Sequence, residues 1–205
     1  MAIIFLVTFI GMMGFGIILP LFPFYAERLG AGPEVITLTM AAFSLGQFIA
    51  APIWGQLSDS IGRKQTLVIT LFGSGISYLI LAYAPNLEVV ILSRILSGLM
   101  AGNIAIAFAY VSDITTDENR SAGLGKVSAG LGLGFMTGPA IGGLLAGNNV
   151  ENANYLLTAL SAAGINFIAM FAALFFLKES LDDANRKPFE GLSKIIELDT
   201  FQPSK

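Results

Sequence analysis

Arg94 lies inside an apolar stretch, 88–111, that holds no other cation. Inserting such a charge into hydrocarbon costs about 2.5–3.5 kcal/mol, so the side chain either snorkels to an interface or faces a cavity where it senses a proton or a substrate. Both readings stand on the sequence alone. A second group is the short charged turn of Gly55, Asp59, Gly62, Arg63 and Lys64, wedged between two long apolar stretches. Asp59 falls at the C-terminal end of one helix and the two cations at the N-terminal start of the next. Each is on the wrong end of its helix dipole by about 0.3–1 kcal/mol. A pairing of Asp59 with Arg63 across the turn relieves both mismatches, and Gly62 permits the tight turn. A third group, Asp113, Asp117, Glu118 and Arg120, reads either as a solvated loop or as the source of an acid, Asp113, for Arg63 or Lys64.

The sequence has no histidine and no cysteine. The commonest general base, the commonest metal ligand, thiolate sites and disulfides are all excluded together. A six-span serine protease built on a Ser–His pair fails for the same reason. No enzymatic activity, cofactor or metal is expected. Among uncharged groups, Gln47 with Phe43 at i−4 puts an amide and an aromatic ring on one helix face, a ligand pair or a packing pair. Asn103 is nine residues from Arg94. At 100° per residue that turns it to the opposite face, so Asn103, with Tyr110 seven residues on, reads as an interhelical hydrogen bond rather than a cavity residue.

These groups must be carried by membrane helices. The chain has 205 residues, 55% hydrophobic and only 12% charged, with a mean hydropathy of +0.75. A water-soluble domain of this size would lack the polar surface to cover its core. Six stretches are long and apolar enough to span a bilayer, at 3–26, 35–57, 66–84, 88–111, 122–146 and 154–177. The composition turns polar after Leu177. Residues 1–180 are assigned to a six-span bundle and 181–205 to a cytoplasmic tail or the start of a central loop, with a short amphipathic helix around 192–198.

Lysine and arginine give the orientation. Arg63, Lys64, Arg120, Lys126, Lys178, Arg186, Lys187, Lys194 and Lys205 share one side, and only Arg28 lies on the other. The positive-inside rule puts that side, and both termini, in the cytoplasm. Span 1 carries Pro20 and Pro23 and should bend near its outer end. Span 5 carries Gly130, Gly134, Gly138 and Gly142 at intervals of four, a smooth stripe where another backbone can approach. Span 4 has a shorter version in Gly98 and Gly102. Gly147, at the end of span 5, is expected to tolerate a side chain.

Three of these patterns carry a resemblance. Gly55-x-Leu57-Ser58-Asp59-x-x-Gly62-Arg63-Lys64 resembles the loop 2–3 signature of the major facilitator superfamily, with Ser60 where the family usually has arginine. Arg94-x-x-x-Gly98 resembles the family's span 4 motif. Gly125-x8-Gly134-x3-Gly138-Pro139-x2-Gly142-Gly143 resembles that of its proton-coupled antiporters. The stretches 109–115 and 178–180 look most like tetracycline and multidrug exporters. The resemblance covers residues 1 to about 180.

It implies an all-α membrane protein, six transmembrane helices as two inverted three-helix repeats, the amino-terminal half of a major facilitator fold. It ties Arg94 to proton coupling. It also aligns Gly11 with the span 1 aspartate of the tetracycline exporters, so the main proton carrier is expected outside this half. The implied function is proton-coupled export of a small amphipathic drug or metabolite across the cell membrane. The implied partners are the lipid bilayer, the substrate, protons and a second six-span half, with no nucleic acid. Truncation of a longer exporter is the favoured reason for finding one half, and a non-transporting fragment is the alternative.

Overall fold

A computed structural model describes residues 1–147 and 153–189. Among them are eight α-helices and no strand. They are α1 (Ala2–Ile18), α2 (Phe22–Arg28), α3 (Pro33–Ile61), α4 (Arg63–Ala82), α5 (Leu87–Leu99), α6 (Asn103–Ile114), α7 (Asp117–Ala146) and α8 (Tyr155–Phe176). Taken as spans, these form six segments long and apolar enough to cross a membrane: Ala2–Arg28, Pro33–Ile61, Arg63–Ala82, Leu87–Ile114, Asp117–Ala146 and Tyr155–Phe176. Most run past their apolar windows because polar caps continue them into water. Asn86 Oδ1 accepts from Val89 N at 3.1 Å and Asn154 Oδ1 from Leu157 N at 2.9 Å, starting α5 and α8. Pro33 opens α3, where its missing N–H costs nothing. The expected helix near 192–198 lies outside the described residues.

The packing pattern has an internal symmetry. Span 1 packs mainly on spans 5 and 6, and span 4 packs mainly on spans 2 and 3. Spans 3 and 6 pack on each other. Exchanging spans 1–3 with spans 4–6 swaps the contacts of span 1 with those of span 4 and leaves the span 3–span 6 contact in place, which is the pattern of two repeats of the same three-helix unit. Small residues make the two close approaches. A Cβ built on Gly138 of span 5 would lie 2.7 Å from both Gly16 Cα and Met13 O of span 1. A Cβ on Gly98 of span 4 would lie 3.0 Å from Phe43 Cα of span 2. These are the equivalent crossings in the two repeats.

Two spans are interrupted, and they are the equivalent ones. Span 1 breaks between Ile18 and Phe22, where Pro20 and Pro23 prevent a continuous ladder. Span 4 breaks between Leu99 and Asn103, which the sequence reading treated as continuous. Trp54 Nε1 donates to the carbonyl of Leu99 at 2.6 Å, and its ring lies over Gly102. The indole thus satisfies a carbonyl at the break, which apolar surroundings require. Along the unbroken stretches, buried hydroxyls bond back to their own chain a turn earlier, as in Thr8 to Ile4 O at 2.9 Å and Thr66 to Gly62 O at 2.8 Å.

Candidate functional site

The two interrupted spans meet at Arg94. The side chain is 4% exposed, turned into the bundle rather than out to an interface. Its guanidinium carbon lies 5.4 Å from the ring centre of Phe22, at the start of α2, and 5.4 Å from that of Tyr78 in α4. Cation–π attraction of this kind is worth about 2 kcal/mol when desolvated, enough to offset part of the insertion cost. Nε and Nη2 are buried without a hydrogen-bond partner among the described residues.

Beside Arg94 is a cavity of about 270 Å³ lined by Phe15, Leu19, Phe22, Met40, Phe43, Ser44, Gln47 and Arg94. A second cavity, of about 160 Å³, shares Phe15, Phe43 and Gln47 with it. Its wall draws on all six spans and includes Thr8, Ser74, Tyr78, Ser97, Asn103 and Asn166 among otherwise apolar groups. Phe15 and Phe43 stack with centroids 5.3 Å apart between the two spaces. Gln47 and Phe43 therefore line both cavities.

Asn103 lines the 160 Å³ cavity and not the one beside Arg94. The two residues do not share a cavity, as the count of 100° per residue predicts, but Asn103 is a cavity residue all the same. Tyr110, with which it was grouped, donates to Lys178 O at 2.9 Å. Gly11 also lines this cavity, and a Cβ there would lie 3.6 Å from Asn103 Nδ2. Asn166 was missed although an amide in the middle of span 6 is the same kind of signal as Gln47. It is 2% exposed, and its Nδ2 donates to Ala162 O at 2.9 Å.

At the charged end of the bundle, Gly62 alone separates α3 from α4, with φ +111°. That backbone favours glycine. Arg63 is held by three neighbours. Its Nη2 is 2.6 Å from Asp59 Oδ1 and its Nε 3.0 Å from Asp113 Oδ2. Its Nη1 donates to Ser58 Oγ at 2.6 Å. The cluster joins spans 2, 3 and 4. Lys64 contributes its backbone N–H, and Arg120 is elsewhere, paired with Asp117 at 2.9 Å on an exposed turn.

Glu179 was not anticipated. Its carboxylate accepts from Arg63 N at 2.9 Å and Lys64 N at 3.2 Å, capping the N-terminus of α4. Ser180 Oγ donates to Asp113 Oδ2 at 3.2 Å, and Lys187 N donates to Asp59 O at 3.0 Å. The segment after span 6, read from composition as a solvated tail, is tied to the turn as far as Lys187. No local signal in the sequence joins Glu179 to residues more than a hundred positions away.

The glycine motif of span 5 divides. Gly134, Gly138 and Gly142 face the backbone of span 1, whereas Gly125 and Gly143 have open space where a Cβ would be. Pro139 sits inside α7 beside Gly16. Gly55 also has open space at its Cβ position. Gly147 is not a tolerant end position: it caps α7 with φ +95°, so any side chain is strained there.

The model of the Major Facilitator Superfamily matches residues 4–202. Multidrug resistance protein 2 of Bacillus subtilis (strain 168) is 33% identical over 187 residues, covering 91% of this chain and 46% of that protein. The class G tetracycline resistance protein of Vibrio anguillarum is 34% identical over 171 residues, covering 82% of this chain and 42% of that protein. The crystal structure of the human organic anion transporter MFSD10 (TETRAN) superposes with a TM-score of 0.79 at 24% identity, over 91% of this chain and 49% of that one. The chain thus spans about half the length of the relatives it matches. Its six membrane-capable helices, its repeated packing and the family match over nearly its whole length make this multi-pass membrane chain a member of the major facilitator superfamily.

Proposed function

We propose that this chain is the amino-terminal half of a proton-coupled exporter of small amphipathic drugs or metabolites. Its ends face the cytoplasm, and a second six-span half, in the same polypeptide or a second subunit, completes the pathway. The observation that carries the reading is the junction of the two interrupted spans at an unpartnered, buried Arg94 beside an aromatic-lined cavity. Interrupted membrane helices mark binding sites in transporters because their freed backbone and inserted side chains can only be tolerated at a cavity. The names of the relatives, multidrug and tetracycline resistance proteins, supply the substrate class.

In this reading Phe43 and Gln47 contact substrate, and Arg94 reports the protonation state of the pathway. The glycine crossings of span 5 on span 1 and span 4 on span 2 keep each bundle rigid while the two halves rock. The Asp59–Arg63–Asp113 cluster with Glu179 fixes the cytoplasmic ends of spans 2, 3 and 4 to the segment after span 6, as a gate must. Tight, charge-assisted contacts make that end one unit.

The test has two steps. The coding sequence beyond Lys205 is read for six further spans, and drug-dependent proton flux is measured in inverted vesicles carrying the complete protein. Flux that needs both a proton gradient and an amphipathic drug supports the exporter. A stop codon in place of six further spans supports the alternative, a non-transporting membrane fragment.

A further inference from the structure

Arg94 has more donor capacity than the bundle uses. The two buried donors without partners are Nε and Nη2. They form one edge of the guanidinium, and their N–H bonds run parallel. That edge matches the two oxygens of a carboxylate, and its charge cannot be lost by deprotonation. Phe22 and Tyr78 answer the charge through their ring faces, 5.4 Å away on each, but give the edge no acceptor. None of the ion pairs among the described residues includes Arg94.

Arg94 lines a cavity of about 270 Å³ whose remaining wall is mostly apolar, with Phe15, Leu19, Met40 and Phe43 beside Gln47; Nε and Nη2 themselves are closed off from it, so the guanidinium must turn to present that edge. The geometry points to an organic-anion subsite here: a ligand carboxylate in this cavity draws the Arg94 guanidinium round to pair with it while its aromatic body packs on Phe15 and Phe43. This rests on the transport reading above and narrows its substrate class to amphipathic carboxylates. The competing source of a carboxylate is an acidic side chain of a second half.

Two probes of the same shape separate charge from fit: 1-naphthaleneacetate and its neutral amide. Equilibrium binding of each to the 205-residue chain in lipid nanodiscs, near neutral pH, is expected to favour the acid by about tenfold or more, the usual worth of a hydrogen-bonded charge. Arg94→Gln should erase that preference, and Arg94→Lys, a point charge without the fork, should keep only part of it. Equal affinities in the wild type, no saturable binding of the acid, or a preference that survives Arg94→Gln would overturn the assignment. Equal binding together with drug-driven flux in the complete protein would leave the exporter standing and remove only the anion site. Acid-selective binding without flux would do the reverse.

Discussion

Gly138→Ala tests the crossing on which the bundle is built. The added Cβ would lie 2.7 Å from Gly16 Cα and Met13 O, whereas ordinary contact starts at 3.4 Å. Spans 1 and 5 must separate by about 0.7 Å, the difference of those two distances, or the helices must shift along each other. Neither atom can swing aside, since both belong to backbone. Overpacking of this kind costs about 1–3 kcal/mol. Alanine also favours the helix by up to about 1 kcal/mol over glycine, which subtracts from the loss. Gly132, two turns from Gly125 on the same helix, has nothing within 4 Å of its Cβ position and isolates that second term. Gly132→Ala should therefore be neutral or stabilising, and Gly138→Ala should lower the thermal midpoint of the detergent-solubilised chain by several degrees. Gly138→Leu should prevent folding outright. Equal midpoints for the two alanine variants would refute the close approach. Gly147 does not serve as the control, because its positive φ makes any substitution costly.

Glu179→Gln should destabilise the charged end by about 1–2 kcal/mol, because the α4 N-terminus loses a full anion; hydrogen exchange at Arg63 and Lys64 amides should rise, while equal protection would discount the cap. Trp54→Phe removes the donor to Leu99 O and should cost about 1–2 kcal/mol, read as a lower thermal midpoint; an unchanged midpoint would mean another group satisfies that carbonyl. For topology, single cysteines at Gly32 and Asn119 should label from opposite sides of intact cells, Gly32 from outside, and labelling of Asn119 from outside would reverse the proposed orientation.

Much of the architecture was legible because the bilayer imposes a length rule on apolar runs. Each of the six expected spans coincides with a membrane-capable segment, and the larger offsets lie at the charged ends, where α3 runs on to Ile61, α4 starts at Arg63, α6 runs to Ile114 and α7 starts at Asp117. The bend at Pro20 and Pro23 was legible because proline acts locally. The break at 100–102 was not, since Gly102 is tolerated in a continuous helix, and what sits against it is an indole 48 positions earlier. Charge mismatch at helix ends pointed to Asp59 and Arg63 because it is a property of neighbours in sequence. Glu179, Ser74 and Ser97 join their groups through packing of distant spans, which leaves no local trace.

Drug-dependent proton flux in vesicles carrying the complete protein, compared among wild type, Arg94→Ala and Arg94→Lys, tests most directly whether the junction of the interrupted spans is the transport site. Arg94→Ala should abolish flux while insertion and expression persist. Arg94→Lys should remain poor, because lysine offers no planar fork to the cavity and sits less well between Phe22 and Tyr78. Wild-type flux from the alanine variant, or full recovery with lysine, would contradict the account: the first removes Arg94 from the pathway, and the second reduces it to a charge whose geometry does not matter.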